Sequence, residues 1–172
     1  MKKVAVVYTS KYGSAEKYAK WICEETDGTA FEASKCKAKD LEEFDTVIYG
    51  GGVHAGGIEG IDFLKKNIGK LEGKKILVYA VGLTMQDPDN QAQCIEINLV
   101  KKLEGLPCYF FDGAYDPAKV KGIDKQLMKV VHHMAKSKAE DPKTSVLIKA
   151  IEEGADFTDR NQIREIVIEA LK

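Results

Sequence analysis

The chain has 172 residues, of which 44% are hydrophobic and 31% are charged, and its 26 basic and 27 acidic side chains leave a formal net charge of −1. This balance excludes the strongly basic class of nucleic-acid-binding proteins, and no segment approaches the ~20 apolar residues that a membrane-spanning helix needs. The first residues lead into a short apolar run that is unlike a signal peptide. We therefore predict a single domain over residues 1–172, located in the cytoplasm, with no nucleic-acid partner and no integral membrane segment.

The cysteines and histidines do not form a metal-binding pattern. The cysteines are Cys23, Cys36, Cys94 and Cys108, and the histidines are His54, His132 and His133. No cysteine pair is spaced as Cys-x-x-Cys, and the histidines do not complete a zinc-like set. A chain of this size does not need disulfides, so we interpret the cysteines as reduced thiols and expect no metal site.

The turn between the first predicted strand and the first predicted helix is suited to bind a phosphate. A β-branched run begins at Val4 and ends at a turn with hydroxyl groups and one glycine, after which apolar residues recur at helical spacing. The first turn of a helix has backbone N–H groups without partners and partial positive charge, which favours an anion. The candidate residues are Ser10, Lys11, Tyr12, Gly13, Ser14 and Ala15. Gly13 permits a left-handed backbone, whereas Ser14 either contributes to the anion site or simply caps the helix.

The remaining elements alternate between strands and helices. The first helix is predicted over Ser14–Glu25, with Gly28 as its left-handed cap. Further strands are predicted at residues 29–33, 45–49, 74–81 and 107–111, and helices at 61–68, 91–103, 120–135 and from about 158 onward. A helical turn or two is expected within residues 145–151. In the helix over 120–135 we expect one apolar face, formed by Ile123, Leu127, Val130, Val131 and Met134.

Two more loops stand out because of their composition. Residues 50–57 contain five glycines, which predict a flexible loop able to approach a ligand closely, and residues 82–90 form a second exposed loop. Five strands alternating with helices predict a parallel sheet wound on both faces, whose ligands lie beyond the carboxyl ends of the strands. The loops after the first, third and fourth strands all emerge at that edge, which predicts a cofactor site there. The candidates from the two later loops are Gly51, Gly52, Val53, His54, Gly82, Leu83 and Thr84.

Two nucleotide-binding motifs are disfavoured. The spacing Gly-x-x-x-x-Gly-Lys-Ser/Thr of the nucleoside-triphosphate loop is absent from the first turn. Residues 50–55 fit Gly-x-Gly-x-x-Ala, but they follow the third strand instead of the first, and no acidic residue ends a strand about 20 residues later. A dinucleotide at that turn is therefore a minor alternative.

Five stretches appear in the order found in a known family. They are Tyr8–Ser14, Val47–His54, Val81–Thr84 followed by Pro88, Gly113–Tyr115, and Phe157–Asp159. The chain resembles the flavodoxins, and among them the flavodoxin-type, menaquinone-dependent protoporphyrinogen oxidases and related flavodoxin-domain proteins. The resemblance implies a three-layer α/β fold with a doubly wound, five-stranded parallel sheet of order 2-1-3-4-5 and a C-terminal helical extension. It also implies an FMN cofactor, held by the three loops, with its terminal phosphate in the first.

The chain departs from the oxidase pattern at three places. The third-strand loop has His54-Ala55 where the family has a basic residue and an aromatic, residues 116–122 contain no aromatic, and Arg160 replaces an expected Trp. These departures favour an electron carrier that serves redox partner proteins. The long C-terminal extension favours instead an oxidoreductase of the protoporphyrinogen oxidase type with a quinone or another small acceptor. A flavin-free binding module of the same fold is a third alternative.

The residues around the expected flavin leave two further alternatives open. His54 either contacts the flavin or is solvated, and Asp87 and Asp89 either act near the flavin or form a turn beside Pro88. In residues 116–138 we expect the apolar side chains to be used in packing on the sheet. Since that segment also has no aromatic anchor, we predict weak or no membrane binding. The oligomeric state is not predicted.

Overall fold

The computed structural model describes residues 2–172 and has a central parallel sheet with helices on both faces. In chain order the strands are β1 (Val4–Thr9), β2 (Thr29–Glu32), β3 (Thr46–His54), β4 (Gly57–Ile58), β5 (Lys75–Gly82), β6 (Cys108–Asp112), β7 (Ala114–Tyr115) and β8 (Ala155–Asp156). The helices are α1 (Ser14–Thr26), α2 (Asp62–Asn67), α3 (Pro88–Asn98), α4 (Gly122–Lys136), α5 (Pro142–Glu153) and α6 (Arg164–Leu171). Short 3-10 helices lie at Ala38–Leu41, Ile68–Lys70, Lys101–Leu103 and Arg160–Ile163.

The five long strands pair in parallel in the order β2-β1-β3-β5-β6. This is the predicted order 2-1-3-4-5, because β4 is only a short strand that pairs antiparallel with the end of β3. Consecutive residues of a strand point to opposite faces, so that Val6 belongs to the core that contains Tyr18 of α1 and Ile166 of α6. Val7 belongs to the core on the other face, with Leu64 of α2. The predicted doubly wound α/β fold is thereby confirmed.

The glycine run after the third strand is not a flexible loop. Gly50, Gly51 and Gly52 continue β3, which turns at Ala55 and Gly56, both at positive φ, and pairs back with β4. A Cβ at Gly50 would overlap the ring of Tyr79, and one at Gly51 would lie 2.5 Å from the carbonyl oxygen of Glu59. The prediction of a mobile loop is therefore wrong, because at least Gly50 and Gly51 serve close packing and not flexibility.

Several predicted helix ends are also wrong. Asp27, at φ 50°, is the left-handed C-cap of α1. Gly28 is not left-handed; it lets the backbone pass close to β1, since a Cβ there would lie 2.8 Å from the carbonyl oxygen of Val4. Helix α3 ends at Asn98, five residues before the predicted end. The buried Asn98 side chain accepts a hydrogen bond from Ile58 N at 2.8 Å and donates to Gly56 O at 2.8 Å. This tertiary bonding holds the β3–β4 turn against α3.

The extra length of the chain forms a pair of helices. Strands β7 and β8 pair antiparallel, and residues 116–154 between them contain α4 and α5. We call residues 116–154 the helical hairpin and the rest of the described chain, 2–115 and 155–172, the body. Helix α5 has 12 residues, longer than the predicted turn or two, because Asp141 caps it by accepting from Thr144 N at 2.8 Å.

The predicted apolar face of α4 is wrong in part. Leu127 and Val131 are half-buried, but Ile123, Val130 and Met134 are exposed, with 86% of Ile123 accessible to solvent. The expectation that these side chains are used in packing on the sheet is therefore wrong. Across residues 2–172, we find no helix that combines the length and the apolar character of a membrane span.

Candidate functional site

A cleft of about 270 Å³ lies at the carboxyl ends of the parallel strands. Its walls come from the loops after β1, β3, β5 and β6 and from the helical hairpin. The predicted residues that line it are Ser10, Lys11, Tyr12, Ser14, Ala15, Gly52, Val53, His54, Gly82, Leu83 and Thr84. The predicted residues Gly13 and Gly51 lie outside the lining. The structure thus brings the three predicted loops to one place.

The first loop presents the start of helix α1 to this cleft. Gly13 is the N-cap residue, with a left-handed backbone at φ 100°, and its N–H donates to Ser10 Oγ at 3.1 Å. Within the described residues no side chain caps the helix, so its first-turn N–H groups are not used by a side-chain cap. The alternative in which Ser14 is the cap is wrong, because Ser14 is already helical and its Oγ accepts from Ala114 N at 3.0 Å.

Two donors of the first loop bind a carboxylate of the hairpin. Lys11 Nζ lies 2.6 Å from Asp124 Oδ2, and the Tyr12 hydroxyl donates to the same oxygen. These two hydrogen bonds lower the pKa of Asp124 below its usual range, and in turn Asp124 raises the pKa values of Lys11 and Tyr12. Sequence reasoning missed Asp124, because nothing in the spacing of 113 residues indicates that it meets Lys11.

The β3–β4 turn contributes a histidine and a glutamate. His54 Nε2 and Glu59 Oε2 are 3.7 Å apart, too far for a hydrogen bond. Glu59 Oε2 is buried and is the one such side-chain atom without a hydrogen-bond partner in the described part of the chain. The backbone of Glu59 is fixed, since its carbonyl accepts from the Tyr49 hydroxyl at 2.8 Å. Burial raises the pKa of Tyr49 to about 12, so this hydroxyl remains a donor at neutral pH.

The loop after β5 is held by side chains of α3. Asn90 Nδ2 donates to Thr84 O at 3.0 Å and to Thr84 Oγ1 at 2.9 Å. Asp87 caps α3 by accepting from Asp89 N at 3.0 Å, so that Asp87 has the turn-forming role that was one of its two alternatives. Thr84 and Leu83 are thereby held at the edge of the cleft.

The helical hairpin supplies an apolar wall that sequence reasoning did not assign to the site. Leu127, Met128 and Val131 of α4 and Leu147 of α5 face the cleft, opposite the strand ends. The helical periodicity of α4 identified an apolar stripe but not which flank of it points inward. The cleft has the open N–H groups of α1 at one end, and the apolar wall lies beside His54 and Glu59 at the other. It therefore suits a molecule with an anionic end and a largely apolar body. Within residues 2–172 no cluster of metal-ligating side chains is found.

Comparisons with known proteins agree with this architecture. The family model described as Flavodoxin domain matches residues 5–141. The flavodoxin, WrbA-like protein from Agrobacterium tumefaciens has 13% identity, covering 88% of this chain and 96% of that chain, with a TM-score of 0.51. At this identity the likeness concerns the fold alone.

Two further solved structures are similar at lower TM-scores. Rubredoxin oxygen:oxidoreductase from Desulfovibrio gigas has 15% identity over 88% of this chain and a TM-score of 0.48, and this chain covers only 36% of its length. A flavodoxin from the domain Archaea has 14% identity, covering 88% of this chain and 97% of that chain, with a TM-score of 0.44. No curated protein sequence matches the chain. From the family match over residues 5–141 and the strand order of the sheet, we conclude that the chain belongs to the flavodoxin-domain family.

Proposed function

We propose that the chain is a redox protein that binds FMN in this cleft and passes electrons between partner proteins, with residues 1–172 acting as a single domain. FMN, when bound, supplies the one- and two-electron chemistry, while the chain positions the flavin and excludes water from it. The observation that carries the proposal is the start of α1. There, Gly13 leaves the helix without a side-chain cap, beside Ser10 and Lys11. Open N–H groups and a helix dipole favour a terminal phosphate.

The other end of the cleft also fits a flavin. Glu59 Oε2 is a buried acceptor without a partner among the described residues, and an unpaired buried acceptor is costly. A ring N–H of the flavin would satisfy it. Gly52 lies next to both side chains of this turn, since a Cβ there would be in ordinary contact with His54 Nε2 at 3.6 Å and Glu59 Oε2 at 3.7 Å. These features support a flat, polar-edged ring at the β3–β4 turn.

The experiment is a fluorescence-quenching titration of the purified chain with FMN and with riboflavin. We expect one FMN per chain, bound at least about 100-fold more tightly than riboflavin, since hydrogen bonds to charged groups contribute roughly 1.5–3 kcal/mol each. Equal affinities would contradict the assignment of the phosphate to the first loop. Failure of both flavins to bind would favour the flavin-free binding module.

The apolar wall of the hairpin favours a second candidate function. A carrier needs only an accessible flavin edge, whereas Leu127, Met128 and Leu147 enclose additional space beside the strand ends. Such a wall suits an oxidoreductase whose substrate has a large apolar part, of the protoporphyrinogen oxidase type with a quinone acceptor. Assays with protoporphyrinogen and menadione separate the two functions. If the chain is an electron carrier, we expect little turnover of protoporphyrinogen. Robust turnover would instead support the oxidoreductase function over the carrier function.

A further inference from the structure

The two helices of the helical hairpin bury few side chains completely, although Val120, just before α4, is buried as well. Helices α4 and α5 pack mainly on each other, and their buried side chains are Ala135, Ala150 and Ile151. The hairpin leaves and rejoins the body through one short pair of strands, β7 and β8. An element with few buried apolar contacts opens at a lower free energy than a core element. The polar contacts of the hairpin therefore matter for where it lies.

Two ion pairs join the hairpin to the loops of the cleft. Lys143 of α5 lies 3.8 Å from Asp87, but its side chain is 78% exposed, and an exposed pair of this kind contributes little. Asp124 of α4 is different, because its side chain is only 17% exposed and it accepts from both Lys11 and Tyr12. The Asp124 contact is thus the stronger of the two ion pairs between the helical hairpin and the loops of the cleft.

The same two donors lie where the proposed phosphate would bind. Lys11 and Tyr12 directly precede Gly13, the N-cap of α1, and both line the cleft. A carboxylate and a phosphate monoester are both anions, so that they repel each other and compete for these donors. In the structure the donors are taken by Asp124.

We propose that Asp124 is a latch that holds the helical hairpin over the cleft and that a phosphate-bearing ligand releases it by taking Lys11 and Tyr12. This inference rests on the proposed function, because it deepens the role of the first loop. Binding of the phosphate and closure of the hairpin are then negatively coupled, and by linkage each weakens the other by the same factor. Any contact that Leu127 or Met128 makes with the flavin ring is shared by FMN and riboflavin, because the two molecules differ only in the phosphate. The difference between FMN and riboflavin therefore isolates the phosphate.

The test measures amide hydrogen exchange of α4 together with flavin affinity in D124N, which keeps the shape of the side chain and removes its charge. We expect α4 amides of the flavin-free variant to exchange about tenfold faster than in the wild type, and FMN to bind about tenfold more tightly while riboflavin affinity is unchanged. The matched control is E140Q, which removes the same charge from the exposed turn between α4 and α5 and should change neither quantity. Unchanged α4 exchange in D124N would overturn the latch.

A second variant approaches the same contact from the body. K11M removes one of the two donors to Asp124, so it should also accelerate exchange in α4. It should weaken FMN binding, because in this proposal Lys11 also donates to the phosphate. In the wild type, α4 should exchange faster with FMN bound than with riboflavin bound. Stronger protection by FMN than by riboflavin would overturn the displacement of Asp124 by phosphate.

A final arm does not depend on flavin binding. Inorganic phosphate, compared with chloride at equal ionic strength, should accelerate α4 exchange in the wild type and have no such effect in D124N. If neither flavin binds but phosphate acts in this way, the proposed FMN function fails while the latch stands. If phosphate has no effect on the wild type, the competition for Lys11 and Tyr12 is overturned whatever the flavins do.

Discussion

The body and the helical hairpin are built on different physical principles. In the body, strands such as β5 are buried along nearly their whole length and are covered on both faces, so its stability comes from apolar burial. In the hairpin, α4 and α5 pack mainly on each other and leave Ile123, Val130, Met134 and Val146 exposed. The body thus determines the fold and positions the loops. The hairpin determines the far wall of the cleft, and its position depends on the contact of Asp124 with Lys11 and Tyr12.

The largest expected effect of a single substitution lies in the body. In Gly50→Ala the new methyl group would overlap the buried ring of Tyr79, whose hydroxyl donates to Ala15 O at 2.7 Å. Moving that ring disrupts the contact between β5 and α1, and we expect a loss of roughly 3 kcal/mol of the free energy of unfolding. Urea denaturation measures it. Gly69→Ala is the control, because no atom lies within 4 Å of its Cβ position and its φ is not positive; equal midpoints for the two variants would contradict the packing role of Gly50.

The next effect concerns the loop that the body contributes to the cleft. In Gly13→Val the new Cβ would have no atom within 4 Å, so the substitution causes no clash. The free-energy cost comes instead from holding valine in the left-handed backbone conformation at φ 100°. A strain of about 1–2 kcal/mol changes the loop and should weaken FMN binding about tenfold, measured by fluorescence quenching. Gly105→Val carries the same strain at φ 79° in equally open space, at a residue outside the lining of the cleft. If Gly105→Val weakens FMN binding as much as Gly13→Val does, the effect of Gly13→Val does not come from a change in the first loop.

A pair of cap variants tests whether the hairpin unfolds separately from the body. Asp141 caps α5 and Asp87 caps α3, each by accepting from a backbone N–H. Replacing either with Ala should cost about 1 kcal/mol. In D87A this loss should lower the urea midpoint of the body, whereas in D141A it should appear only as faster amide exchange within α4 and α5. A midpoint shift of equal size in both variants would show that the hairpin belongs to the same cooperative unit as the body.

The smallest expected effect is the pH dependence of the hairpin. The hydrogen bonds from Lys11 and Tyr12 lower the pKa of Asp124 in the folded chain, so its contribution to closure is present above the ordinary aspartate pKa and is lost as the pH falls through the lowered value. Amide exchange of α4 in the wild type should therefore be slower than in D124N at the same pH from neutral pH down to about 5, and this difference should disappear only below about pH 4. A difference that is already lost at about pH 6 would contradict the assignment to Asp124.

Much of the fold was predictable because it depends on local pattern. Continuous apolar runs identified β1 and β5, and their alternation with helices predicted the parallel sheet. Element ends were less predictable. The early end of α3 depends on the buried side chain of Asn98, which bonds to Gly56 and Ile58, and no local pattern contains those partners.

The candidate site was predictable where a loop follows a strand and unpredictable where distant segments meet. Residues such as Ser10 and His54 follow β1 or end β3, and the rule for parallel sheets brings them to one edge. Glu59 and Asp124 were missed. Their roles depend on the turn back into β4 and on the direction of α4, and both are decided by tertiary packing.

The sequence by itself determined the class of fold, the edge of the sheet where the cleft lies and the left-handed turn at Gly13, because these depend on apolar periodicity and on glycine at one position. Only the tertiary structure decided that the glycines of β3 pack against Tyr79 and the Glu59 backbone, and that α4 turns Leu127 inward and Ile123 outward. It alone placed Asp124 on Lys11 and Tyr12. The physical reason is that close packing and long-range ion pairs depend on where two chain segments meet, and neither segment contains that information alone.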